Sequence, residues 1–221
     1  MNELYEILKI TPKDERLYNI AVSHSSYANE HKAKLDYERL EFLGDAVVDL
    51  VVADYLYSNH DESEGEMTKV RASYVCENAL YRYSMDMGFN NYIKVGHGEE
   101  NSGGKYKKAI LSDIFEALMG AIYLDLGYAT ARKTVLNIVT PYIEDPNVTF
   151  FNDYKSVLQE VVQTEKKTVA YELIDEKGPA HDKTFTMEVK IDGIVFGVGE
   201  GCSKKEAEQN AAKEALKKFA K

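Results

Sequence analysis

The chain has 221 residues, room for one or two domains at ~100–200 residues each. With 44% hydrophobic and 29% charged residues it has an ordinary globular balance, which excludes wholesale disorder. The net charge of −10 argues against a nucleic-acid binder when the chain is taken as a whole. Uncharged apolar runs reach about eight to ten residues, short of the ~20 a membrane helix needs. The start, MNELYEILKITPKDE, lacks the basic stretch and apolar block of a secretory signal. Cys76 and Cys202 share no metal-ligand spacing, so two free thiols in a reducing, cytoplasmic setting are expected, with Cys202 a small packed residue.

Apolar residues recur at three and four through the first 144 positions. This spacing predicts helices near 2–9, 13–22, 36–57, 66–86, 108–124 and 128–144. Loops are predicted at Asn59–Gly65 and Gly96–Lys105, the latter rich in Gly, Asn and Ser. Thr140–Val148 holds two of the four prolines and reads as a helix end and linker. After Phe150 the period changes. A helix over Asp153–Thr164 is followed by alternating runs at Val169–Ile174, Thr184–Ile191 and Ile194–Gly199, rich in Val, Ile, Phe and Thr. Asp192-Gly193 is a strong hairpin turn. A last helix covers Ser203–Ala220. The predicted architecture is an all-α domain over 1–147 and an α-β-β-β-α domain over 151–221. Charge divides the same way: net −9 before residue 151 and −1 after it, with lysines clustered at Lys204–Lys205 and toward the C-terminus.

The long helix carries an acidic stripe. At about 100° per residue, with Glu38 at 0°, Glu41 falls near 300°, Asp45 near 340° and Asp49 near 20°. Leu40, Leu43, Val47, Leu50 and Val51 form the opposite, apolar face. Such a stripe is commonly a solvated face. Phe42 and Val52, inside or beside it, suggest instead a metal site, an interface, or both. A second helix carries Asp113 and Glu116 three apart on one face. Ala117 and Gly120 share that face, where small side chains let another helix approach. Phe115, Leu118 and Ile122 point to the core. The two helices could set Glu41 and Asp45 against Asp113 and Glu116. Oxygen donors alone suit Mg²⁺, Mn²⁺ or Ca²⁺. No Glu-x-x-His pair supports a di-iron bundle.

Glu38-Arg-Leu-Glu-Phe-Leu-Gly-Asp-Ala-Val-Val48 resembles the signature of the ribonuclease III family, and Asp113-Ile-Phe-Glu-Ala-Leu-Met-Gly-Ala-Ile-Tyr123 resembles its second acidic motif. Residues 151–221 are similar to its double-stranded-RNA-binding domain. The resemblance implies Mg²⁺-dependent hydrolysis of double-stranded RNA, with Mn²⁺ able to substitute. The implied products carry a 5′-phosphate, a 3′-hydroxyl and a short 3′ overhang. It implies that Glu41, Asp45, Asp113 and Glu116 are both metal ligands and catalytic residues, and that no small-molecule cofactor is used. It places Glu64 near the scissile strand and makes Phe42 the plug of a symmetric homodimer. Ribosomal precursors, messengers and small RNAs are the implied targets. Tyr37 departs from the Asn that many relatives carry; the expectation is that this leaves the ligands untouched and bears on local packing. A dead, RNA-binding relative would lack part of the acid set, which is complete here.

In the second domain, Ser203-Lys-Lys-Glu206 has a capping-box pattern. Its free N–H groups and Lys204 and Lys205 suit phosphate. By resemblance, His181 and Gln159 meet the RNA minor groove, in recognition of A-form shape more than sequence. His24, in Val22-Ser-His-Ser-Ser-Tyr27, is expected to be structural, because no acid partner completes a catalytic Ser/His arrangement.

Overall fold

Helical periodicity in the first two-thirds becomes helices in the structure, a computed structural model that describes residues 1–145, 148, 150, 154–178 and 183–219. They are α1 (Asn2–Leu8), α2 (Glu15–Ala21), α3 (Ser25–Glu30), α4 (Glu38–Asn59), α5 (Glu64–Tyr74), α6 (Glu77–Asp86), α7 (His97–Asn101), α8 (Lys108–Leu126) and α9 (Tyr128–Ile143). The chain divides into two compact units, Met1–Phe151 and Asn152–Lys221. No helix among the described residues is long and apolar enough to cross a membrane.

In the first unit α8 is the central element. Ile110, Leu111, Ile114, Phe115, Leu118, Met119 and Ile122 are buried along it. It packs against α4, α6, α9 and α2. Asp125, near its end, accepts from the N–H groups of Lys13 and Asp14 and from the Tyr18 hydroxyl, tying α2 to it.

Three elements differ from expectation. The helix predicted over 66–86 is two. α5 ends where the Val75 N–H donates to the Arg71 carbonyl, and Cys76 is extended before α6 begins. No Gly or Pro marks this break. The carbonyl of Tyr74 is instead satisfied by the buried Tyr83 hydroxyl at 3.1 Å, a tertiary bond that local sequence does not announce. The start of α5 is earlier than expected, because Ser63 and Glu66 form a capping box that draws Glu64 into the helix. Within the predicted loop Gly96–Lys105, and between predicted helices, short helical turns form, among them α7 and α3.

The second unit contains α10 (Tyr154–Thr164), β1 (Val169–Lys177), β2 (Thr184–Ile191), β3 (Ile194–Gly201) and α11 (Lys204–Phe219). The strands form an antiparallel sheet in the order β1-β2-β3. Asp192 and Gly193 both take positive φ, 48° and 80°, as the tight hairpin between β2 and β3 requires. β1 runs on past the predicted Ile174 after a register shift between Leu173 and Asp175. Leu158, Val162, Val189, Ile191, Ala211 and Ala215 form the core between the sheet and its helices.

Candidate active site

The site begins with a helix crossing. A Cβ placed on Gly44 of α4 would lie 1.8 Å from the Glu116 carbonyl oxygen of α8. One placed on Gly120 would lie 2.3 Å from the Leu40 carbonyl oxygen. The two helices therefore touch backbone to backbone. The buried side of α4 is Leu40, Gly44, Val47, Val48, Val51, Val52 and Leu56. The predicted apolar face is thus rotated toward the acid stripe, and Leu50, expected in the core, is 57% exposed. The rotation follows from the glycine contact, which only that side of α4 can make.

This crossing brings Glu41 against Asp113 and Glu116. One carboxylate oxygen from each lies within 4.8 Å of the others. All three are half-buried. Asp45 lies outside that group, exposed on the next turn of α4, close enough to repel both Glu41 and Glu116. Burial, then repulsion from Asp45, Glu41 and Asp113, pushes the Glu116 carboxyl up to about 8. Burial, then Asp113, Glu38 and Asp45, pushes Glu41 up to about 7. Burial also raises Asp113, against the lowering effect of a hydrogen bond from Tyr37. Acids crowded together and poorly solvated favour proton uptake unless a cation neutralises them. The donor set is oxygen only, which fits a hard divalent ion such as Mg²⁺. A cavity of about 300 Å³ opens beside Asp113 and Glu116, lined also by Ser112, Glu77 and Leu80.

Phe42 is 82% exposed on the outer side of α4, with Leu50 and Tyr57 exposed further along. Beside it lies an apolar cavity of about 690 Å³, lined in part by Leu17, Ile20, Leu35, Leu43 and Leu124.

In the second unit Lys204 and Lys205 are exposed in the first turn of α11. Ser203 Oγ accepts the Glu206 N–H at 3.2 Å, while the Glu206 carboxylate reaches back to the Cys202 N–H at 2.8 Å. The cap therefore forms with its return bond shifted by one residue. Cys202 is exposed, which corrects the expectation of a packed residue; Gly201 and Ser203 leave it at the surface of the turn. Gln159 is half-buried on α10. His181 lies outside the described residues.

Residues 14–142 match the ribonuclease-III-like family, and residues 154–219 match the double-stranded RNA binding motif. Curated relatives called "Ribonuclease 3" include one from Onion yellows phytoplasma, 51% identical over 99% of this chain and 91% of its own length. Another, from Bacillus cereus, is 47% identical over 97% of this chain and 89% of its own length. The chain belongs to the ribonuclease III family. This is a family of endoribonucleases, and the fold agrees. The nuclease domain of the Campylobacter jejuni ribonuclease III superposes with a TM-score of 0.60 at 35% identity, over 66% of this chain and 98% of that one. A second structure of that domain gives 0.59 at 38% identity, over 63% and 95%.

Four further residues bear on the candidate ribonuclease III site. Glu64 is not part of the carboxylate group. It opens α5, exposed, and accepts from the Thr68 hydroxyl at 3.1 Å. His24 is structural: its Nδ1 accepts the Ser26 N–H at 3.1 Å and caps α3. Tyr37 requires a correction. It does touch a predicted ligand, because its hydroxyl donates to Asp113 Oδ2 at 2.9 Å. The sequence marks this position only as an odd residue before a motif. Glu77 escapes sequence reasoning altogether, yet it faces Asp113 from the start of α6 and repels it. Nothing in local spacing links Glu77 or Tyr37 to Asp113, since α8 lies far along the chain from both.

Proposed function

We propose that this protein cleaves double-stranded RNA endonucleolytically with Mg²⁺, leaving 5′-phosphate ends and short 3′ overhangs. The observation that carries the reading is the convergence of Glu41, Asp113 and Glu116 across α4 and α8, with their carboxyl groups held above the usual range. These three hold the cation, and Asp45 at the rim completes the set. A bound divalent cation supplies charge stabilisation and water activation for phosphodiester hydrolysis. The chain's own part is to pre-place the oxygens. The glycine crossing fixes the distance between the helices. Mn²⁺ substitutes, being similarly hard.

Gln159, His181, Lys204 and Lys205 bind the duplex from the second domain. A local cation pair at a capped helix start binds phosphate whatever the net charge of the chain. Exposed Phe42 beside an apolar cavity supports a symmetric homodimer in which each Phe42 fills the partner's cavity. One of the Campylobacter jejuni nuclease-domain structures is described as flexible in a region involved in dimer formation, which is consistent with this. We place the enzyme in the cytoplasm, maturing or degrading ribosomal precursor, messenger and small RNAs. The test is to incubate a perfect RNA duplex with the protein in Mg²⁺ and in Ca²⁺. Short duplex products with 5′-phosphates in Mg²⁺ are expected. Binding without any cleavage in Mg²⁺ or Mn²⁺ would leave a duplex-binding protein only.

A further inference from the structure

We propose that Tyr37 is a positioning residue for the cation site, its phenol hydroxyl orienting the Asp113 carboxylate for ligation. The inference rests on the reading of Glu41, Asp113 and Glu116 as cation ligands. Tyr37 is 3% exposed, and its hydroxyl donates to Asp113 Oδ2 at 2.9 Å. Its own place is determined by the fold. Its N–H donates to the Ser23 carbonyl at 3.0 Å, and its carbonyl accepts the N–H groups of Leu40 at 2.8 Å and Glu41 at 2.9 Å. The ring packs on His24, with centroids 5.7 Å apart. One residue thus begins the helix that bears Glu41 and grips the ligand on the other helix.

The chemistry suits the task. An ionised carboxylate only accepts hydrogen bonds, so the phenol must be the donor. With Oδ2 occupied, rotation of the carboxylate is restrained and its other oxygen is available to the cluster. A Lys or Arg donor would do the same while competing with the cation by charge; a neutral phenol does not. A role in packing alone would need the ring and not the hydroxyl. Hydrogen-bonded partners of this kind commonly change metal affinity by about 10–100-fold.

The experiment is Tyr37→Phe, which keeps the ring and removes one oxygen. Mn²⁺ is titrated calorimetrically into the protein without RNA, and duplex cleavage is followed against Mg²⁺. We expect Mn²⁺ affinity to fall about 10–100-fold. The Mg²⁺ activation curve should shift to higher concentration, with kcat recovered at saturation and KM for the duplex unchanged. In an Asp113→Asn background the same substitution should change Mn²⁺ affinity less than about twofold, whatever Tyr37→Phe does to stability. Equal Mn²⁺ affinity and equal Mg²⁺ activation in Tyr37→Phe and wild type would overturn the proposal, as would an undiminished effect in the Asp113→Asn background. Wild-type protein that takes up no Mn²⁺ would overturn the ligand assignment itself, and this inference with it.

Discussion

Glu116 shows what happens when a carboxylate is buried among other acids. Its neighbours are acids, its solvation is poor, and its carboxyl sits near 8 in the cation-free protein. The fold therefore prefers the protonated form. The stability this residue contributes is complete below the ordinary carboxylate range and is lost as pH rises through about 8. Glu116→Gln removes that loss. Without divalent cation, the variant should melt a few degrees above wild type at pH 8.5, at roughly 2–4 °C per kcal/mol, and the two should converge near pH 5. Cleavage by the variant should drop by orders of magnitude. Equal melting at pH 8.5, or near-normal Mg²⁺-dependent turnover, would show that Glu116 is not in a crowded cation site. Much of this site was legible in residues 38–48 and 113–123, because helical spacing puts each pair of acids on one face. Asp45's position at the rim was not legible, since it depends on which side of α4 meets α8. The link from Tyr37 to Asp113 was equally hidden, being a contact between segments far apart in sequence.

At the scale of the element, the crossing of α4 and α8 rests on two glycines. Gly44→Ala should force the helices apart or strain them, because the added Cβ would overlap the Glu116 carbonyl. A destabilisation of about 1–3 kcal/mol or more is expected from overpacking, with a large loss of cleavage, since Glu41 and Asp45 flank the moved position. Unchanged melting and unchanged turnover would mean that α4 and α8 are not this close. The long amphipathic helices were readable because their apolar period runs for several turns. Short elements were not. α3 is capped by His24, outside the usual Ser, Thr, Asp and Asn set. The break at Val75 depends on the Tyr83 hydroxyl rather than on a local breaker. In α11 the charge pattern was legible and gives its own test. Lys204→Ala with Lys205→Ala should weaken duplex binding and lower the slope of log affinity against log salt by about 0.7–0.9 per lost phosphate contact. A slope equal to wild type would put the RNA surface elsewhere.

On the scale of the whole molecule, the outer side of α4 presents Phe42, Leu50 and Tyr57 to solvent in one chain. An exposed phenylalanine beside an apolar cavity is a natural C₂ contact. Phe42→Ala should remove roughly 3–5 kcal/mol at each of two sockets. Dimer dissociation should then move by several decades in concentration, at about 1.4 kcal/mol per decade. Sedimentation across a dilution series checks this, and a variant dimer as tight as wild type would remove Phe42 from the interface.

The two thiols of the chain differ in a way that makes the second domain easy to observe. Cys76 is half-buried and its Sγ donates to the Ser73 carbonyl at 3.2 Å, whereas Cys202 is exposed. A thiol-reactive dye should therefore attach first at Cys202, two residues from Lys204, with no engineered cysteine. Such a label sits where phosphate is expected to arrive. Its emission in the cation-free protein would report capture of the duplex as a signal separate from cutting.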